Sequence, residues 1–305
     1  MSLHINTPLI ASTSLSARTG REVWLKLDAL QPAGSFKIRG VGLACQTYQE
    51  RGARRFVSSS GGNAGLAVAY AGRQLGVPVT VVVPQTTTER AKSLIAAEGA
   101  QVQVHGASWV EANAHAQSLL DAQSAFIHPF DDPLLWQGHA SLVDEVAAAG
   151  LQPDLIVLSV GGGGLLCGVL AGLARNGWSD IPVLAMETMG ADSLAQALAT
   201  RSHVTLPAIR SIATSLGARQ VCRQAFEQSQ RLPVRSAVVD DRAAVEAALA
   251  FADDHRVIVE PACGAALAAV YQNLAALEAA QRVLVVVCGG VGASHAQLVA
   301  WQQSL

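Results

Sequence analysis

Three glycine-rich turns each follow directly on a short run of apolar residues, and this pairing restricts the fold more than any other feature of the chain. The turns read SSGGNAG (59–65), VGGGG (160–164) and CGGVGAS (288–294). The runs before them belong to a longer series of strand candidates at 23–27, 56–59, 79–83, 102–105, 155–159, 183–187, 237–239 and 283–287. Between them lie helix candidates at 38–50, 64–75, 89–97, 108–122, 140–149, 165–175, 241–255, 263–279 and 294–301. Such alternation is the pattern of parallel sheets with crossover helices. Ligands of these sheets gather at the carboxyl ends of the strands, where the glycine turns lie.

The uncharged stretch 155–174 is long enough to span a bilayer. Its central tetraglycine would cost a helix about 1 kcal/mol per residue relative to alanine, so a buried strand, a turn and a buried helix are expected instead. Only 14% of the 305 residues are charged and half are apolar, against roughly 25% charged in an average soluble protein. Much of the chain must therefore be buried, in a large core or at a subunit contact. A formal charge of −2 with no basic run gives no footing for nucleic acid or an anionic membrane. Cys45, Cys167, Cys222, Cys263 and Cys288 are odd in number and never form a C-x-x-C pair. They point away from a disulfide framework or zinc site and towards a reducing, cytoplasmic setting. The N-terminal residues MSLHINTPLIASTS have neither the basic start nor the apolar stretch of a signal peptide. Changes of texture near Gln31–Gly34 and around HPFDDPLLWQG (128–138) divide the chain. They predict a small domain, 31–131, inserted in a larger one formed by 1–30 and 132–305.

Glycines let backbone approach a ligand, and the N–H groups opening the next helix attract an anion. A phosphate is the natural guest of Gly161, Gly162, Gly163 and Gly164. No G-x-x-x-x-G-K-[ST] or G-x-G-x-x-G motif is present, which favours a cofactor smaller than a nucleotide. Lys37 lies in GSFK, beside an aromatic ring and just after a small-residue turn. It reads either as a solvated cation or as a sheltered amine able to form a Schiff base. His128 and His139 lack metal-ligand spacing and are read as structural or substrate-lining, and Asp131 and Asp132 as turn and capping residues.

The segment PAGSFKIRG (32–40) resembles the cofactor-lysine motif of the fold-type II pyridoxal-phosphate enzymes. SSGGNAG, SVGGGGLLCG, AMET, VEPACGAALAAVY, VVVCGG and PFDDP with GHAS are similar, in order and spacing, to the serine dehydratase (serine/threonine ammonia-lyase) branch. The likeness runs from about Thr7 to about Gln297. It implies an α/β fold of two open, twisted, mostly parallel sheets with helices on both faces, of the tryptophan synthase β kind. It also implies a homodimer and β-elimination from L-serine, giving pyruvate and ammonia, with L-threonine giving 2-oxobutyrate. Carried over by position, Lys37 takes the aldehyde of pyridoxal 5'-phosphate and Phe36 stacks on its ring. Gly161–Gly164 and Leu165 cradle the phosphate, Cys288 faces the ring nitrogen, and Asn63 approaches the 3'-oxygen. Ser60, Gly61, Gly62, Asn63 and Ala64 grip the substrate carboxylate. Glu187, with oxygens near Gly161, Ala191, Ser193, Leu216 and Ala218, matches a monovalent-cation (K+) site.

Racemases and biosynthetic threonine dehydratases of the superfamily typically carry histidine and serine where Ala64 and Cys288 stand here. One departure concerns Gly61, where serine dehydratases often have alanine and serine dehydratase-like relatives have glycine. The absent methyl is expected to alter substrate preference without abolishing elimination. Another fold-type II enzyme, a non-catalytic amino-acid or cofactor binder, and a nicotinamide oxidoreductase are the rival readings at this point.

Overall fold

A computed structural model describes residues 2–305. The chain opens with β1 (Leu9–Ala11), α1 (Thr13–Thr19), β2 (Glu22–Lys26) and α2 (Lys37–Glu50). It continues through β3 (Arg55–Ser58), α3 (Asn63–Leu75), β4 (Val79–Val83), α4 (Glu89–Ala97), β5 (Gln101–Val104), α5 (Trp109–Ser118) and β6 (Ser124–Phe126). Next come α6 (Pro133–Ala148), β7 (Leu155–Ser159), α7 (Gly164–Arg175), β8 (Val183–Thr188), α8 (Ser193–Thr200) and α9 (Arg223–Ser229). The last elements are β9 (Val234–Val239), α10 (Asp241–His255), α11 (Pro261–Tyr271), β10 (Arg282–Val286) and α12 (His295–Ser304).

Six strands form one sheet in the order β1-β2-β10-β7-β8-β9, parallel except at the β1 edge. Four form a second, all-parallel sheet, β5-β4-β3-β6, drawn from residues 55–126. Strands β4, β7 and β8 are buried at every residue. That is why they read as continuous apolar runs rather than alternating ones: helices cover both faces. The expected two-sheet α/β architecture is the one observed.

One close helix crossing, with a glycine on each side, sets the site in place. Gly40 of α2 faces the Leu135 carbonyl of α6, where a Cβ would come within 2.5 Å, and Gly138 of α6 abuts the Arg39 carbonyl in return. The start of α2, with Lys37 as its first residue, is thereby locked to α6. Helix α11 is buried from Pro261 to Val270, as a helix apolar all round must be.

Several elements differ from expectation. Helix α6 begins at Pro133 rather than 140, so the proline-rich stretch is partly helical. Proline suits the first turn, and the Asp132 side chain accepts the Leu134 N–H at 2.8 Å. Helix α11 stops at Tyr271 instead of 279, because the chain turns through Asn273 in the left-handed region, φ 48°. The three-residue strands β1 and β6 and the short helices α1, α8 and α9 had no sequence counterpart: segments of three to eight residues show too little periodicity to register. The uncharged stretch 155–174 is β7, the glycine turn and α7. No helix among the described residues is long and apolar enough to cross a membrane.

Candidate active site

Lys37 begins α2 directly after Phe36, whose N–H donates to the Cys288 carbonyl at 3.1 Å. Gly290 N–H donates to Gly34 O at 2.8 Å, and Ser35 bridges Gly289. The lysine turn is thus stitched along the third glycine turn. The Lys37 amine donates to the Pro129 carbonyl at 2.6 Å and lies 5.1 Å from the centre of the Phe36 ring. Burial pulls its pKa down to about 8, against the opposing influence of Cys288 and Glu260. A useful fraction is therefore the neutral, nucleophilic amine near neutrality.

The tetraglycine turn has a neighbour against each residue. A Cβ at Gly161 would lie 2.9 Å from Leu216 Cα and from Ser215 O. At Gly162 it would strike the Phe130 ring, and at Gly164 the Phe130 carbonyl at 2.7 Å. Gly163 has φ +90°, which side chains rarely adopt. It is the N-cap of α7 and provides no side-chain cap, leaving that helix start ready for an anion. Leu165 follows within the first turn of α7.

Across the cleft, Asn63 begins α3, also uncapped, after Gly62. Ser60 Oγ accepts the Gly62 N–H at 3.3 Å; Ala64 lies in the first turn of α3 and is buried. Asn63 donates to Glu260 at 2.8 Å and to Ser215 Oγ at 3.3 Å, and its carbonyl accepts the Val291 N–H at 3.1 Å. Glu260 also accepts the Gly292 N–H at 3.0 Å. Burial pushes this carboxyl upward, against the bonds from Ser215, Gly292 and Asn63 and the charge of Lys37. The contacts close a ring: Lys37 to Pro129 and Phe130, Phe130 to Gly162, Gly161 to Ser215, Ser215 to Asn63, Asn63 to Glu260, and Glu260 back to the third turn. Lys37, Phe36, Asn63, Gly161–Gly164 and Cys288 all belong to it or touch it.

Cys288 is buried, and its contact with the Cys263 thiol, together with that burial, raises its pKa well above the usual thiol range. It is a neutral thiol. The cation candidates lie to one side. Glu187 is fully buried in β8 and accepts the N–H groups of Leu194 at 2.8 Å and Ala195 at 2.7 Å. Burial pushes it up to about 7, against those bonds and one from Ser236. Ser193 Oγ, near it in sequence, is buried without a partner. Ala191 bridges Thr188, Leu216 backs Gly161, and Ala218 N–H donates to Leu216 O at 2.8 Å.

These surroundings fit pyridoxal phosphate. There is an amine of lowered basicity for the aldehyde, a glycine turn packed too closely against Phe130, Leu216 and Ala225 to admit any Cβ, an uncapped helix start for the phosphate and a thiol for the ring nitrogen. Glu260, Ser215 and the Pro129 carbonyl had escaped sequence reasoning. The signal for Glu260 was a lone acid between Val259 and Pro261; a backbone carbonyl leaves none.

Residues 1–289 match the family described as pyridoxal-phosphate dependent enzyme. The chain belongs to this family. Among curated relatives, the Bos taurus "L-serine dehydratase/L-threonine deaminase" is 48% identical, covering 99% of this chain and 96% of that one. The Mus musculus "Serine dehydratase-like" protein is 49% identical, covering 97% and 93%. Among solved structures, the family's fold recurs in an L-serine ammonia-lyase from Rhizomucor miehei at TM-score 0.94 and 36% identity, covering 99% of both chains. Maize serine racemase follows at TM-score 0.89 and 28% identity, covering 99% and 92%.

Gly61 lies where the two kinds of curated relative are expected to differ. A Cβ there would sit 2.7 Å from Thr87 Cγ2, 2.8 Å from Thr87 Oγ1 and 3.3 Å from Val83 Cγ1. Thr87 must turn aside to admit it, disturbing the first glycine turn. Gly61→Ala is expected to change the serine-to-threonine ratio of kcat/KM by roughly tenfold, and adding Thr87→Ala should restore it. Unchanged ratios in steady-state assays would show that the loop does not sense this methyl.

Proposed function

We propose that this chain is an ammonia-lyase that converts L-serine to pyruvate and ammonia, and L-threonine to 2-oxobutyrate and ammonia. The observation that carries this reading is the Lys37 amine, of lowered basicity, set among the glycine cradle, Asn63 and a neutral thiol. The relatives named for serine dehydration and threonine deamination support the substrate class.

When bound, pyridoxal phosphate would supply an electron sink that acidifies the substrate Cα–H bond, and a phosphate able to act as an acid. The uncapped start of α3, with Ser60, Gly61, Gly62, Asn63 and Ala64, receives the substrate carboxylate. Lys37, freed by the incoming amino group, takes the Cα proton. The Pro129 carbonyl, 2.6 Å from that amine, steadies the ammonium so formed. Cys288, held neutral, offers no anion to keep the ring nitrogen protonated, which favours rapid loss of the hydroxyl over reprotonation. The hydroxyl takes up a proton and departs as water, and one water then hydrolyses the imine tautomer of the released enamine to the 2-oxo acid and ammonia.

The unpartnered Ser193 hydroxyl, on the residue before Leu194, whose N–H Glu187 accepts, supports a K+ site bounded by Gly161, Ala191, Leu216 and Ala218. Five free, buried cysteines support a cytoplasmic setting. The low charged fraction supports a homodimer, with 31–131 as the domain presenting the substrate loop. Purified protein loaded with pyridoxal phosphate should release 2-oxo acid and equimolar ammonia from both L-amino acids. Bound cofactor without either product would defeat the reading, and D-serine as the main product would make the chain a racemase.

A further inference from the structure

His128 has no part in the chemistry above, yet it shapes the turn against which Lys37 rests. After β6, Ile127 N–H returns to Val57 O at 2.8 Å, and His128–Asp131 lead into α6. Within this turn His128 Nδ1 accepts two backbone N–H groups, from Asp131 at 2.7 Å and from Phe130 at 3.2 Å. The imidazole meets the Phe130 ring at 4.8 Å and the Phe126 ring at 6.2 Å, both edge-on. Trp136 Nε1 holds the Phe130 carbonyl at 2.8 Å from the other side. Two products of this turn reach the site. The Pro129 carbonyl accepts from Lys37, and the Phe130 ring fills the place a Cβ would take at Gly162.

We propose that His128 is the positioning residue for Lys37: a neutral imidazole, protonated on Nε2, whose bare Nδ1 holds the turn that presents the Pro129 carbonyl to the amine. A nitrogen that accepts two N–H groups must carry no proton, which dictates the tautomer. A second proton, on Nδ1, would set three donors against one another and open the turn. Three charged groups face the ring: Asp131 and Asp132 from the same turn, and Lys37 from α2. Burial and the lysine disfavour the second proton while the carboxylates favour it, and the balance places the His128 pKa below its ordinary value. The turn is therefore intact at neutral pH and opens only as pH falls below the ordinary histidine range. The role rests on Lys37 being the amine that takes the cofactor.

Two substitutions separate acceptor from bulk. His128→Asn places a carbonyl oxygen where Nδ1 was and does not titrate; His128→Leu fills the space with no acceptor. In the cofactor-free chain labelled with 15N-histidine, the resonances lost in the asparagine variant should report Nδ1 bare and Nε2 protonated at neutral pH. At that pH the leucine variant should bind pyridoxal phosphate about tenfold more weakly than wild type, the cost of stranding two donors. The asparagine variant should bind within about twofold of wild type. As pH falls below the ordinary histidine range, wild type should lose affinity relative to the asparagine variant, a ratio from which cofactor and lysine titrations cancel. A protonated Nδ1, a leucine variant that binds like wild type, or a ratio flat with pH would each overturn the role. Should the leucine variant not fold, the tautomer and the pH ratio decide alone. Borohydride fixation of cofactor on Lys37 in wild type keeps the tests apart. Its failure removes the cofactor reading and this role with it, whereas fixation with unchanged affinities in the variants removes only the role of His128.

Discussion

Replacing Lys37 with alanine will lower 2-oxo acid release from L-serine by at least about a thousandfold, within the range of a lost general base. The loss should persist with the cofactor in excess, because on the proposed reading no amine remains to move the Cα proton however much cofactor binds. Lys37→Arg should be equally inactive: guanidinium stays protonated at any working pH and cannot serve as base or nucleophile. The lowered pKa sets the pH response. The amine is mostly charged below about 8 and neutral above it. Covalent capture of cofactor by the cofactor-free chain should therefore quicken about tenfold per pH unit below that value and level off above it. A variant retaining turnover within tenfold of wild type, in an assay of pyruvate release, would remove Lys37 from its role.

The second large effect is on stability. Asp28→Asn will destabilise the chain by about 3–5 kcal/mol, the usual cost of breaking a buried ion pair from one side. Arg39, two residues beyond Lys37, is fully buried. It donates to Asp28 at 2.7 and 2.8 Å and to Glu145 at 2.6 and 2.7 Å. Lys26 completes the cluster, 2.6 Å from Glu145. Two cations thus meet two carboxylates, and the asparagine leaves one positive charge uncompensated in the interior. Urea unfolding of the cofactor-free chain measures the difference; a loss below about 1 kcal/mol, the scale of an exposed pair, would mean that water reaches the cluster. Burial pushes the Glu145 carboxyl up, but Arg39 and Lys26 hold it below its ordinary range. Its folded pKa lies below the unfolded one. Its contribution is accordingly complete above about pH 4.5, the ordinary carboxyl range, and is lost as pH falls through the folded value. Glu145→Gln should remove that part of the acid limb.

The fold class was legible because strand and helix periods are local, and parallel strands covered on both faces leave continuous apolar runs such as VTVVV and LIVLS. Lys37 and the glycine turns were legible for a similar reason: their chemistry lies in residue type and immediate neighbours. Helix α6 was expected from 140 and not from Pro133 because proline and aspartate mark both turns and helix starts, and the capping bond from Leu134 N–H to Asp132 does not show in the sequence. The burial of Glu187 was not legible, since sequence does not show that α8 will place two N–H groups on its carboxylate.

Sequence by itself determined the strand-turn-helix order, the lysine turn and the glycine turns, since each depends on conformational preferences within a few residues. Tertiary structure alone decided which groups surround them. Lys37 meets a carbonyl 92 positions away, and Asn63 meets a buried acid 197 positions away. Those partners are chosen by how two sheets and their helices pack, and the shifted basicity of the amine comes from that packing.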